Sequence, residues 1–284
     1  MINTYIVVLN YKVKDEVLEC IKSLTLSLGF NRDFKVLVID NNSIDGSAEA
    51  IKKYFPKISL IENSDNFGFT GGNNIGIKYA LERGANYILI LNPDTVVEKN
   101  TIKNLLSEAN KYQTGIIGPK IYFGEDRKIW YAGGVLDMRN VLGKHRGVDE
   151  KDSGQYNKAG ETDYVTGAAM LVSSEVFNKV GLFDERYFLY YEDADFCVRA
   201  KQAGFKVWYT PHSTVYHKNA RSTGLGSPLQ DYYITRNRML FASKFLSLRT
   251  RFALLREAVK NIKIPIRRAA LFDFLLSKFG KGDI

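Results

Sequence analysis

Tyr87-Ile88-Leu89-Ile90-Leu91-Asn92-Pro93-Asp94-Thr95 decides how this chain is read. An aromatic residue and four aliphatics run without a polar break into an amide, a proline and a carboxylate. An apolar run of this length between turn formers predicts a strand buried on both faces of a parallel sheet. Proline has no N–H and keeps the preceding residue extended, so the strand stops at Asn92. Asp94 then lies just past the carboxyl end of a central strand, where open α/β sheets take their ligands. Position alone leaves two readings: a carboxylate that holds a divalent cation against a phosphate, or the cap of a helix starting near Lys99.

Upstream, strand and helix patterns alternate. Residues 5–9 form a strand that closes on Asn10 and Tyr11, and Val17, Leu18, Ile21, Leu24 and Leu28 make a helical stripe over 16–28. A strand over 34–39 closes on Asp40-Asn41-Asn42-Ser43, followed by a helix over 47–54 and a strand over 58–61. A loop, Asn66-Phe67-Gly68-Phe69-Thr70-Gly71-Gly72-Asn73-Asn74, runs into a helix ending near Gly84; a helix over 99–111 follows the fourth strand. This alternation predicts a mostly parallel central sheet covered by helices.

Asn10, Asp40 and the Asn92/Asp94 pair fall on one rim of such a sheet, suited to a base, a ribose and a diphosphate. Each alone reads as a turn former. No G-x-G-x-x-G follows the first strand and no G-x-x-x-x-G-K-[ST] occurs, which disfavours a dinucleotide fold and a P-loop. The glycines from Gly68 to Gly76 either let backbone approach a ligand at a helix N-terminus or only make a turn.

Taken in order, Val8-Leu9-Asn10-Tyr11, Val38-Ile39-Asp40-Asn41-Asn42-Ser43, the Asn66–Asn74 run and Leu91-Asn92-Pro93-Asp94 resemble the inverting GT-A glycosyltransferases of family 2, closest to the bacterial rhamnosyltransferase-like branch. The likeness covers about the first 240 residues, and the ordered set is far more specific than any one motif. It implies a GT-A (Rossmann-like) catalytic domain over 1–240, with a nucleotide-binding half (1–119) and an acceptor-side half (120–240). Asp40 would contact the pyrimidine nucleoside. Asn10, Asn41, Asn66, Gly71, Gly72, Asn73 and Asn92 would complete the nucleotide site. Asn92-Pro93-Asp94 stands where the family has a metal-binding Asp-X-Asp. An amide replaces the first acid, which removes one negative charge from the metal site.

In the second half, Phe188-Leu189-Tyr190-Tyr191-Glu192-Asp193-Ala194-Asp195 sets three carboxylates within four residues at a helix start. The helix dipole accommodates acids there, and Asp195 and Arg199 are spaced for an intrahelical pair. Neither explains why Glu192 and Asp193 follow aromatics. Carboxylates packed against apolar surface rise in pKa, which suits a proton acceptor. The same resemblance maps the family's general base to Asp193, beside Glu192. It also makes His217 a ligand of Mn²⁺ or Mg²⁺ with Asp94, while His212 stays structural and His145 receives no role. Gly167 and Ala168 are small enough to leave room for substrate. Trp130 reads as core, with sugar stacking the alternative. Residues 139–160 are an acceptor-side loop or a mobile one, and 165–172 a buried strand. The loop 218–227, with Arg221, would close over the diphosphate, and Arg236 would meet a phosphate of donor or acceptor.

The chain has 284 residues, 45% hydrophobic and 25% charged, enough for a sizeable core. Cys20 and Cys197 form no disulfide framework, pointing to a reducing, cytoplasmic setting. No apolar run approaches the roughly 18–20 residues a membrane span needs, and no basic, apolar leader opens the chain. The net charge of +9 asks for an anionic partner. Much of the excess lies after residue 243, with ten Lys/Arg against three acids. Residues 241–284 read as a basic amphipathic helical appendage, either at the inner face of the cell membrane or packed on the domain or a second subunit of a homodimer.

These features predict an inverting transferase that uses a nucleotide-diphosphate sugar, with dTDP-rhamnose favoured over a UDP-sugar by the resemblance, and a surface-glycan or lipid-linked acceptor. Two readings compete. A nucleotidyltransferase making sugar nucleotides lacks here its Gly-rich, Arg-containing loop after the first strand. A basic nucleic-acid-binding module would explain the charge alone and would have no use for Asp193.

Overall fold

The computed structural model describes residues 3–28, 33–124, 127–218 and 226–284. The first half is β1 (Thr4–Asn10), α1 (Lys14–Leu28), β2 (Phe34–Asp40), α2 (Ser47–Tyr54), β3 (Ser59–Glu62), α3 (Gly68–Leu81) and β4 (Tyr87–Leu91). All four strands are parallel, with β1 between β2 and β4 and β3 outside β2. Asn10 lies opposite Asp40 and Val8 opposite Leu91, so the carboxyl ends are level. Alternate residues of β1 serve opposite layers. Ile6 and Val8 meet Val17, Ile21 and Leu24 of α1, whereas Tyr5, Val7 and Leu9 belong to the cluster holding Ile77 and Ala80 of α3. Burial on both faces is why these strands read as unbroken apolar runs.

The glycine-rich stretch from Gly68 corrects one expectation. It is the first two turns of α3, not a loop. A Cβ on Gly72 would stand 2.4 Å from a Leu9 methyl, and one on Gly76 would stand 2.5 Å from Val7. The glycines are thus what lets this helix lie against β1.

The second half continues with β5 (Thr95–Val97), α4 (Thr101–Tyr112), β6 (Ile116–Phe123), β7 (Lys128–Tyr131), β8 (Gly134–Asp137), β9 (Leu142–His145), β10 (Gly160–Glu161), β11 (Ala169–Ser173), α5 (Ser174–Val180), α6 (Glu192–Gln202) and β12 (Val207–His217). Across the main sheet the order is β10-β12-β6-β11-β4-β1-β2-β3. β11 runs antiparallel to both β4 and β6, and β12 runs parallel to β6. Two reversals restore the direction, so β12 ends at the same rim as β1, β2 and β4, and β11 begins there.

The expected strand over 165–172 starts only at Ala169, because 165–168 turn along that rim. Residues 139–160 are not a free loop. They hold β9, which hairpins with β8, and a buried ion pair in which Lys120 Nζ donates to Asp152 at 2.8 Å and to Asn157 at 2.7 Å. The Tyr122 hydroxyl also donates to Asp152. Its Lys120 and Tyr122 hydrogen bonds outweigh burial and hold the Asp152 carboxyl at about 2.

The chain closes with α7 (Pro228–Phe245), α8 (Leu248–Lys260) and α9 (Pro265–Leu275). Leu254 of α8 packs with Leu240 and Phe241 of α7, and Ala258 and Leu271 pack with Met239. These contacts follow the packed-back alternative for part of each tail helix.

Replacing Gly76 with alanine tests the close approach. Overpacking against rigid, fully buried Val7 costs about 1–3 kcal/mol, against roughly 1 kcal/mol gained in helix propensity. We expect a net loss, read as a thermal midpoint lowered by a few degrees; an unchanged or raised midpoint would show that α3 can lift off the sheet.

Candidate active site

Asp94 caps no helix. β5 intervenes, and α4 begins only at Thr101 with Asn100 as its N-cap. β5 instead pairs antiparallel with the end of β12, setting Thr95 opposite His217, and the Lys218 N–H donates to the Asp94 carbonyl at 2.9 Å. Two residues more than a hundred positions apart thereby meet, with His217 Nε2 3.0 Å from Asp94 Oδ1 and both side chains buried. The Asn92 amide nitrogen lies 3.5 Å from the same Nε2.

One carboxylate and one imidazole in contact at this rim are donors of the kind that could hold Mn²⁺ or Mg²⁺. Octahedral ligands about 2.1 Å from such an ion stand roughly 3 Å apart when adjacent, which matches the Asp94–His217 separation of 3.0 Å. Asn92 can join only by presenting its oxygen. Among the described residues no third His, Cys, Asp or Glu completes a set. The remaining positions of an ion would fall to ligand or water.

Trp130 lies edge-on to His217 with ring centres 4.5 Å apart, and packs partly against the core. His145 meets the same indole, also at 4.5 Å, with Nδ1 3.1 Å from the Trp130 carbonyl. Burial pulls the His145 pKa down to about 4, so it is neutral at pH 7. No sequence signal marks His145, because only the β8–β9 hairpin carries it to Trp130.

Glu192 and Asp193 open α6 beside the same rim. Asp193 Oδ2 accepts the Gly167 N–H at 3.2 Å and Oδ1 accepts the Ala194 N–H at 2.7 Å. The next residue, Ala168, accepts the Asn92 N–H at 3.0 Å, so two backbone links join Asp193 to the end of β4. Burial raises the pKa of both carboxyls, and the charge on Asp193 pushes Glu192 further. Glu192 Oε2 is buried without a partner, whereas Asp193 has two N–H donors that favour its ionised form. Of the two, Glu192 is raised further, and the N–H donors at Asp193 work against its rise.

On the other half of the rim, Asp40 is fixed by the Asn10 amide at 2.7 Å and by the Ser43 N–H and hydroxyl at 3.0 and 2.6 Å. Asn10 Oδ1 remains buried and unpartnered. A cleft of about 390 Å³ opens beside Asp40 between Asn42, Gly46, Glu62 and Asn63. Asn41 turns inward, where its amide donates to Asn66 Oδ1 and the Gly68 carbonyl and its oxygen accepts from Asn63. Asn41 and Asn66 therefore brace the entry to α3. In α3 itself Thr70 Oγ1 and Asn73 Oδ1 are buried without partners, while Gly71 and Gly72 let it pack on Phe67 and Leu9.

Two expectations are corrected. Gly167 leaves no space for a substrate, since a Cβ there would meet Phe69 at 2.7 Å; what it offers is its N–H. Arg236 does not face a phosphate. It is fully buried, and its guanidinium donates to the Arg186 and Tyr187 carbonyls and to Asn237 Oδ1. Its neighbour Asn237 donates to the carbonyls of Tyr187, Leu189 and Tyr190 at 2.9, 2.7 and 2.9 Å. These bonds hold a turn in which Phe188, Tyr190 and Tyr191 all have positive φ. Such residues cost on the order of 1–3 kcal/mol each, and Tyr191 leads directly into Glu192. Of the loop 218–227, residues 219–225, Arg221 among them, lie outside the described residues.

The family described as Glycosyl transferase family 2 matches residues 5–181. The chain belongs to glycosyl transferase family 2. This glycosyltransferase is 27% identical over 246 residues to the low-salt glycan biosynthesis hexosyltransferase Agl10 of Haloferax volcanii, spanning 85% of this chain and 76% of that one. It is 29% identical over 220 residues to the N-acetylglucosaminyl-diphospho-decaprenol L-rhamnosyltransferase of Mycobacterium tuberculosis, covering 70% and 71%. To the dTDP-rhamnosyl transferase RfbF of Shigella flexneri it is 28% identical over 221 residues, covering 74% and 71%. In fold it matches the crystal structure of GalNAc-T7 with UDP, GalNAc and Mn²⁺ at a TM-score of 0.62 and 16% identity, covering 94% of this chain and 58% of that one. The architecture is GT-A, and with the family shown the nucleotidyltransferase and nucleic-acid readings fall away.

Trp130 offers a built-in reporter for the metal test. Mn²⁺ added with a nucleoside diphosphate should quench its fluorescence, and Asp94→Ala or His217→Ala should weaken that response about ten- to a hundred-fold. A response unchanged in Asp94→Ala would remove this carboxylate from the metal site.

Proposed function

We propose that this glycosyltransferase moves rhamnose from dTDP-rhamnose to a hydroxyl of a surface glycan assembled on a lipid carrier, with inversion at the anomeric carbon. The observation that carries the mechanism is the unequal surroundings of Glu192 and Asp193. The acceptor oxygen forms its bond to the anomeric carbon as the bond from that carbon to the diphosphate oxygen breaks. The acceptor proton passes to Asp193, and the nucleoside diphosphate leaves on the opposite face. Positioned proton removal of this kind is typically worth ~10²–10⁴ in rate. Glu192 keeps its proton and spares Asp193 a second charge beside it.

Asp40 and Asn10 hold the nucleoside, with Asn92 at the diphosphate end of the rim. Asp94 and His217 would hold Mn²⁺ or Mg²⁺, which would supply charge to offset that on the departing diphosphate. Support for the donor comes from the resemblance to the Shigella and Mycobacterium proteins, and the second of these is named for a lipid-linked acceptor. A UDP-sugar is the alternative donor, because a pyrimidine diphosphate presents the same groups to Asp40. Residues 1–240 are the catalytic unit and 241–284 an appendage. No helix of the described residues is long and apolar enough to cross a membrane, which accords with a chain peripheral at the cytoplasmic face.

Donor hydrolysis and transfer, screened across nucleotide sugars with and without Mn²⁺, test this reading. Asp193→Asn should retain nucleotide binding and lose about 10²–10⁴ in transfer rate. Transfer at the wild-type rate would remove Asp193 as the base.

The rate should also fall on the acid side, because proton acceptance needs ionised Asp193, and that limb should lie above the ordinary aspartate range since burial raises this carboxyl. A limb at the ordinary position would mean that Asp193 is solvated during turnover.

A further inference from the structure

The apolar residues of the two tail helices divide into two sets. Leu254 and Ala258 of α8, with Ala270 and Leu271 of α9, turn toward α7. A second set turns away. Leu248, Phe252 and Val259 are 66%, 68% and 55% exposed. On a helix of 3.6 residues per turn they fall within about 40° of one another. Phe272, Leu275 and Leu276 form a similar exposed group at the end of α9.

Charge is divided in the same way. Arg249, Arg256 and Lys260 run along one side of the exposed stripe of α8, about 40–80° beyond its edge. Neither they nor Lys263 and Arg268 pair with any described residue. The two acids of these helices are engaged by α7, Glu257 by Arg238 at 2.8 Å and Asp273 by the Tyr232 hydroxyl at 2.5 Å. The tail thus presents apolar side chains bordered by unpaired cations, with its negative charge taken up by α7.

We propose that the outward faces of α8 and α9 dock on an anionic lipid surface, with Phe252 and its apolar neighbours entering the headgroup boundary and Arg249, Arg256 and Lys260 meeting lipid phosphates. An apolar stripe with a cationic edge suits that boundary, where burial and attraction to anionic headgroups add. A second copy of the chain fits less well. A two-fold contact through this face would bring each cluster of cations against its own mate. On its inward side α8 reaches the turn before α6, because Leu254 shares its cluster with Tyr191, the residue before Glu192. The docking itself does not depend on the transferase reading.

Flotation of the full chain with phosphatidylcholine vesicles, with and without phosphatidylglycerol, tests the docking. We expect binding that requires the anionic lipid and weakens with salt. Each cation removed should lower it about five-fold, so the Arg249→Gln/Arg256→Gln/Lys260→Gln triple should lose on the order of a hundred-fold. Phe252→Ser should lose about ten-fold or more. Donor hydrolysis by these variants should stay at the wild-type level, which separates lost docking from a lost fold. A failed transferase reading would appear instead as no hydrolysis of any donor by a chain that still floats. Absence of flotation, flotation indifferent to the triple variant, or a dimer in solution that Phe252→Ser splits would overturn the proposal.

Discussion

A three-residue strand decides where Asp94 and His217 meet. β5 is too short to be stable alone, yet by pairing with the last residues of β12 it sets Thr95 opposite His217 and brings the Asp94 carboxylate to the imidazole. Its surroundings hold it in place. Val97 donates to Ser23 Oγ of α1, and the Thr95 hydroxyl closes the turn onto the Asn92 carbonyl at 2.7 Å. The pairing works only because β12 has already been returned to the direction of β4 by the antiparallel β11 between β4 and β6. One change of strand direction and its reversal therefore bring the ends of β1, β2, β4 and β12 and the start of β11 to one rim.

The second constraint is the turn before α6. Three positive-φ residues within four positions, Phe188, Tyr190 and Tyr191, are unfavourable in isolation. Their carbonyls are taken up from two directions: Asn237 and Arg236 of α7 on one side, and the N-terminal N–H groups of α3, which meet the Phe188 carbonyl at 2.8 and 3.3 Å, on the other. Behind the turn, Asp195 is buried among Arg199, Lys244 and the Tyr187 hydroxyl. Neutralising that carboxylate fixes the first turn of α6, and with it the direction in which Glu192 and Asp193 enter the rim. α7 thus acts on the site through backbone carbonyls, without presenting a side chain to a ligand.

The appendage divides its surface by the same economy. One face of α8 and α9 completes the packing of α7, and the other is left apolar and positively bordered. The outward side is left positive because the two acids of these helices are already engaged by Arg238 and Tyr232.

The sequence by itself determined the alternating half of the fold. Strands buried on both faces leave apolar runs, helices leave stripes, and both signals are local, so β1 to β4 and the rim residues Asn10, Asp40 and Asp94 could be read directly. The Glu192–Asp193 pair was legible for the same reason, as acids directly after aromatics. What only the tertiary structure decided is which long-range partners these residues meet. The register of β5 on β12 ruled out Asp94 as a helix cap, the approach of α3 to β1 turned a supposed glycine loop into helix, and Phe69 filled the space beside Gly167. Arg236 looked like a phosphate ligand because arginine is usually solvated, whereas a strained turn with unpaired carbonyls drew it inside. His145 beside Trp130 depends on contacts between segments remote in the chain, and no local pattern encodes it.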